Sequence, residues 1–172
     1  MTTRFEHDTA IERIGSGRFR ATLDTGWWVQ RGPNGGYLAA ILLRAILEAV
    51  DDAARSPRSL TVHYMAPPDE GSVEIDATVE RTGRSMTSCS ARLSQDGRLL
   101  AVAMAAVSAP RPGPEFCDLV MPEVSPPDAL EPRELHAAAP PFASRWDTRW
   151  AVGTPPLGDD GTPARNPHAV GG

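Results

Sequence analysis

The chain has 172 residues, with 22 acidic positions against 17 basic ones that are all arginine, and a formal net charge of −5. An apolar share of 41% is ordinary for a globular protein and supports a real core over at least part of the length. No basic stripe interleaved with aromatics is present, which sets nucleic-acid binding aside as a function class.

The first ten residues, MTTRFEHDTA, lack the basic segment and apolar stretch of a secretory leader. Residues 18–24, RFRATLD, set Phe19, Ala21 and Leu23 against polar neighbours and predict a half-buried strand. Trp27 and Trp28 follow, then a Gly/Pro/Asn turn at 32–36. From Tyr37 to Val50 the period is helical. Apolar residues at 38, 41, 42, 45, 46 and 49 form the main face, and Leu43, Leu47 and Val50 cover much of the rest. Only Arg44 and Glu48 supply a polar stripe, so the pattern predicts a helix nearly surrounded by protein. Its longest apolar run, Tyr37 to Leu43, falls far short of the roughly 20 residues of a membrane span.

After a turn at 51–58 the period shortens to that of strands. Residues 58–67, 72–83, 84–97 and 98–110 are four consecutive strand candidates, separated by turns at Pro67–Gly71, Thr82-Gly83 and Asp96-Gly97. The Asp-Gly pair between two strands is a strong hairpin signal. Beyond Ala109 the chain is proline-dense and keeps neither period, which reads as a linker. Residues 142–153, with Phe142, Trp146 and Trp150, predict one more strand before a loop-like tail. The expected organisation is therefore a domain over 1–110, a Pro-rich linker over 111–141, and the start of a second, incomplete domain over 142–172. Cys89 and Cys117 have no CxxC spacing and no nearby histidine, which predicts reduced thiols, no metal and a cytoplasmic protein.

An antiparallel sheet must cover its apolar face, and one long helix is available to do so. The expected class is α+β: a sheet wrapped around one long buried helix, the hotdog arrangement. The stretch NGGYLAAILLRA, followed by SLTVHYMAPPDEGSVEIDATVERTGRSMTSCSARLSQDGRLLAVAMAAVS, resembles the N-terminal hotdog half of the acyl-CoA thioesterase II-like (TesB-like) family. The likeness covers roughly residues 10–110. It is carried by the Gly-Gly helix start, the His/Tyr strand ending in proline, the RTGRS turn and the small-residue strand ending Ser-Ala-Pro. The resemblance implies hydrolysis of an acyl-CoA thioester to free acid and CoA, with no cofactor, no metal and no membrane or nucleic-acid partner. It also implies a homodimer or larger assembly, because a hotdog sheet leaves an edge to be paired. In better-known members the catalytic Asp, Thr and Gln lie in the second half, and no position of this sequence matches them.

Asn34-Gly35-Gly36 opens the most apolar helix of the chain. The first N–H groups of a helix lack intrahelical partners and carry partial positive charge, which favours a developing oxyanion. Glycine removes the Cβ atoms that would block a thioester carbonyl. Gly36, through its N–H, and Asn34, as a cap able to orient a carbonyl or water, are the catalytic candidates. The plainer alternative is that Asn34 only caps and the glycines only permit a tight turn. Candidate substrate-binding residues are Gly35, Tyr37, His63, Arg81, Arg84 and Ser85, the last three in the RTGRS turn where arginine would meet CoA phosphates. Arg31 and Arg58 are further candidates for that role, while Trp27, Trp28 and Met65 could wall an acyl pocket or belong to the core.

No residue stands out as the general base. Glu48 lies about 18 Å from Gly36 along the helix. Asp24 would need its loop folded back, and His63 sits mid-strand, where a structural or pocket-lining role competes with a chemical one. Two alternatives to a thioesterase therefore stay open: a non-catalytic acyl-thioester-binding or structural half-domain, and a hotdog dehydratase or hydratase.

Overall fold

The computed structural model describes residues 2–152. The chain divides into two compact units, Met1–Pro112 and Gly113–Gly172.

The first unit opens with a short helix α1 (Arg4–Asp8), closed at its start by a capping box between Thr3 and Glu6. Strands β1 (Glu12–Gly15) and β2 (Arg18–Leu23) follow, then the two-residue strands β3 (Trp28–Val29) and β4 (Gly32–Pro33). Helix α2 (Gly35–Val50) precedes β5 (Ser56–Tyr64), β6 (Gly71–Thr82), β7 (Thr87–Gln95) and β8 (Arg98–Ser108). The main sheet is antiparallel throughout, in the order β1-β2-β6-β7-β8-β5. Asp96 and Gly97, at φ 51° and 76°, make the tight turn between β7 and β8.

Alternation decides which face is core. In β2, Phe19, Ala21 and Leu23 are buried between exposed arginines and a threonine. Ala77, Ala91 and Ala103 stand directly opposite one another on β6, β7 and β8, all buried. That row of small side chains makes room for α2, which lies chiefly against β6 and β7. Tyr37, Leu38, Ile41, Leu42, Ala45 and Ile46 form its buried face. By area, each large apolar side chain buried here is worth roughly 1.5–3 kcal/mol.

Four readings of the sequence need correction. The helix begins at Gly35 rather than Tyr37, because Asn34 caps it. Its other face is not fully enclosed by the described residues: Leu43, Leu47 and Val50 are only half-buried. Helix α1 and strand β1 had no counterpart in the periodicity. The strand expected over 142–153 is instead a 3-10 turn, Pro141–Arg145, followed by a single bridge between Arg149 and Pro132. Two successive prolines, Pro140 and Pro141, fix φ and lack the N–H groups a ladder needs. Residues 153–172 lie outside the described residues.

Candidate functional site

Local hydrogen bonds fix where α2 starts. Asp24 accepts from the Gly26 N–H at 2.8 Å and closes a 3-10 turn, Thr25–Trp27. The Asn34 N–H then donates to the Trp27 carbonyl at 2.8 Å. Asn34 Oδ1 accepts from the Gly36 N–H at 2.8 Å, and the Asn34 carbonyl accepts from the Tyr37 N–H at 3.1 Å. The proposed Gly36 donor is thus engaged by the cap, and the Gly35 N–H is the first-turn donor with no partner among the described residues.

Tyr37 points inward. It is 1% exposed, its ring stacks on Trp27 at 5.3 Å, and its hydroxyl donates to the Asp8 carbonyl at 2.8 Å while accepting from the Asp24 N–H at 3.1 Å. The Trp27 indole donates to Asp8 Oδ2 at 2.9 Å, and His7 Nδ1 lies 2.9 Å from Asp8 Oδ1. These contacts clasp α1 against the start of α2. A cavity of about 490 Å³ opens beside them, where His7, Asp8, Arg20, Asp24 and Glu70 join apolar residues such as Ile11 and Leu23 in the lining.

A second cavity, of about 380 Å³, opens directly on the helix start between Pro33, Gly35 and Leu38 on one side and Tyr64, Met65 and Pro67 on the other. The Tyr64 hydroxyl donates to the Gly35 carbonyl at 2.6 Å. A Cβ on Gly35 would stand 3.2 Å from the phenol, so glycine permits this approach. Burial pushes the Tyr64 phenol above its ordinary value of 10.0.

The remaining candidates lie elsewhere. Arg81 and Arg84 are exposed and Ser85 is half-buried at the turn between β6 and β7. Arg55 ties that turn to the far end of α2, donating to Gly83 O at 3.1 Å, Thr87 Oγ1 at 3.0 Å and Asp52 Oδ2 at 3.0 Å. With 16 residues in α2, the turn and Gly35 sit at opposite ends of a helix about 24 Å long. His63 is exposed on the edge strand β5, opposite Val102, and alternation turns it to the other face from Tyr64. Arg58 donates to Ser108 Oγ at 2.8 Å, and Arg31 is exposed.

Sequence reasoning missed Tyr64, His7 and Asp8. Tyr64 left one legible signal, its place at the end of a strand just before Met-Ala-Pro-Pro. Asp8 left none, since its partners Trp27 and Tyr37 are far along the chain. Among the described residues no cluster of three or more His, Cys, Asp or Glu could hold a metal ion. No described helix is long and apolar enough to cross a membrane.

One helix laid on an antiparallel sheet, with a cavity at the helix start, defines a hotdog domain. The chain belongs to the acyl-CoA thioesterase N-terminal domain family, which matches residues 24–109. Among solved structures it is similar to a protein of unknown function with a hot dog fold from Alicyclobacillus acidocaldarius, at 28% identity and a TM-score of 0.79, over 90% of this chain and 57% of that one. A protein from Thermobifida fusca YX, provisionally assigned as a thioesterase II, is 26% identical with a TM-score of 0.73, over 87% of this chain and 55% of that one. The tesB protein of Mycobacterium avium subs paratuberculosis is 23% identical with a TM-score of 0.62, over 73% of this chain and 49% of that one, a likeness of fold alone. The chain thus spans about half the length of these structures. No curated protein matches it.

Proposed function

We propose that the chain is an acyl-CoA thioesterase-like hydrolase that works at the start of α2. The observation that carries this is the apolar cavity of about 380 Å³ at Gly35, beside an N–H group without a partner among the described residues. An acyl chain would occupy the apolar walls while the thioester carbonyl meets the helix end, where partial positive charge favours an oxyanion. Water oxygen adds to the carbonyl carbon, the C–S bond breaks, and the sulfur leaves as CoA thiol with the second proton of water. Family membership supports the substrate class. Gly36 and Asn34, expected from the sequence to act on the thioester directly, serve in this reading as the cap that frames the helix end, and Arg81, Arg84 and Ser85 remain the proposed phosphate handle.

The proposal includes a homodimer or larger assembly. Strand β5 is an edge of the main sheet with most of its residues exposed, and α2 keeps a half-buried apolar face. Because the RTGRS turn and Gly35 lie at opposite ends of α2, a second hotdog paired on β5 would bring a turn of its own toward this cavity. A hotdog domain over 1–110 is supported by the compact unit Met1–Pro112. The second domain opening at 142, and a cytoplasmic setting with Cys89 and Cys117 as free thiols, complete the proposal.

A non-catalytic acyl-thioester binder is the second reading. It is favoured by the absence of His, Asp or Glu from the cavity lining. Hydrolysis in ¹⁸O-labelled water separates the two. A hydrolase delivers one labelled oxygen to each acid released, in step with free thiol, whereas a binder releases neither above the uncatalysed rate.

A further inference from the structure

A thioester carbonyl that enters the Gly35 cavity gives up its water, and a polar atom left without a partner there costs about 1–3 kcal/mol. Tyr64 carries the one side-chain polar atom among the residues lining that cavity; every other lining side chain is apolar or absent. Its hydroxyl sits 2.6 Å from the Gly35 carbonyl, and the Gly35 Cα offers no Cβ to hold the ring away. Tyr64 stands at the end of a strand, lines the cavity and is 50% exposed.

We propose that Tyr64 is the side chain that receives the thioester carbonyl, and that Gly35 is glycine so that the phenol can stand at that point. This rests on the thioester reading above. In the free protein the O–H is parked on the Gly35 carbonyl. Rotation about the phenol C–O bond redirects it to a substrate oxygen without moving the ring. As water oxygen bonds to the carbonyl carbon, the carbonyl π pair moves onto the carbonyl oxygen, and the Tyr64 O–H holds the charge there without surrendering its proton. The pair then re-forms the C=O bond and expels the sulfur, which leaves as thiol with a proton from the attacking water. A phenol is a donor across the neutral range, and burial pushes the Tyr64 hydroxyl further the same way.

The test uses two non-hydrolysable acyl-CoA analogues of the same chain length, titrated into the full chain. One replaces the thioester sulfur by methylene and keeps the carbonyl; the other is a thioether without the carbonyl. Tyr64→Phe is expected to weaken the carbonyl analogue about tenfold, the worth of one hydrogen bond, and to leave the thioether within twofold. Gly35→Ala keeps the hydroxyl but displaces the ring, and is expected to move the same analogue in the same direction. Equal losses for both analogues, or no loss for either, would overturn the proposal and leave the thioester reading standing. A parent chain that binds neither analogue would overturn both.

Discussion

Tyr37→Phe measures how firmly the start of α2 is held. The substitution keeps the ring that stacks on Trp27 at 5.3 Å and removes only the hydroxyl. That hydroxyl donates to the Asp8 carbonyl at 2.8 Å and accepts from the Asp24 N–H at 3.1 Å, at a residue 1% exposed. One buried and one part-buried hydrogen bond, at about 1 kcal/mol each, give an expected loss of about 2 kcal/mol. For a unit of this size that lowers Tm by about 10 °C. Thermal unfolding followed by circular dichroism reads the total. Amide exchange over α1 reads the local part, because Asp8 closes that helix and should lose protection first. A loss under about 0.5 kcal/mol, with exchange over α1 unchanged, would refute the view that this hydroxyl clasps α1 to the start of α2.

Three further outcomes follow from the same geometry. Cys117 is exposed and Cys89 buried, with burial first and the Glu80 charge second raising the Cys89 thiol, so Ellman's reagent should find one fast thiol and a second only on unfolding; two fast thiols would contradict this. Arg55, its side chain 14% exposed, joins Asp52, Gly83 and Thr87, and Arg55→Ala should cost about 2 kcal/mol in urea unfolding; a cost near zero would remove its role as the tie between the RTGRS turn and α2. Because burial favours the neutral Tyr64 phenol, its contribution is fully present below the ordinary pKa of 10.0 and is lost as pH rises through the higher folded value. The stability gap between parent and Tyr64→Phe should therefore shift against the parent above about pH 10, and a gap that stays constant would contradict the shift.

Much of the fold was legible because burial imposed a period on the sequence. Phe19, Ala21 and Leu23 announce β2, and Asp96-Gly97 announces the β7–β8 turn, since few other pairs tolerate two positive φ angles there. Helix α1 is too short to show periodicity, yet Thr3 and Glu6 carry the spacing of a capping box. The aromatic spacing of Phe142, Trp146 and Trp150 imitated a strand, but the two prolines before it decide for a 3-10 turn. At the candidate site, the sequence singled out Asn34-Gly35-Gly36 without separating the roles within it. Gly35 and Gly36 are indistinguishable on the page of letters, whereas in space one faces Tyr64 and the other is held by Asn34. Tyr37 and Tyr64 are alike in chemistry, and only packing shows that the first is interior and the second faces the cavity.

The central claim is that thioester chemistry takes place at the start of α2, and free-thiol release from a ladder of acyl-CoAs tests it most directly. The purified 172-residue chain is compared with Gly36→Val, whose Cβ would stand 3.0 Å from Asn34 Oδ1 and crowd the cap. The account predicts release by the parent and a fall of roughly tenfold or more in the folded variant. A folded parent that releases no thiol, or a variant as active as the parent, would contradict it.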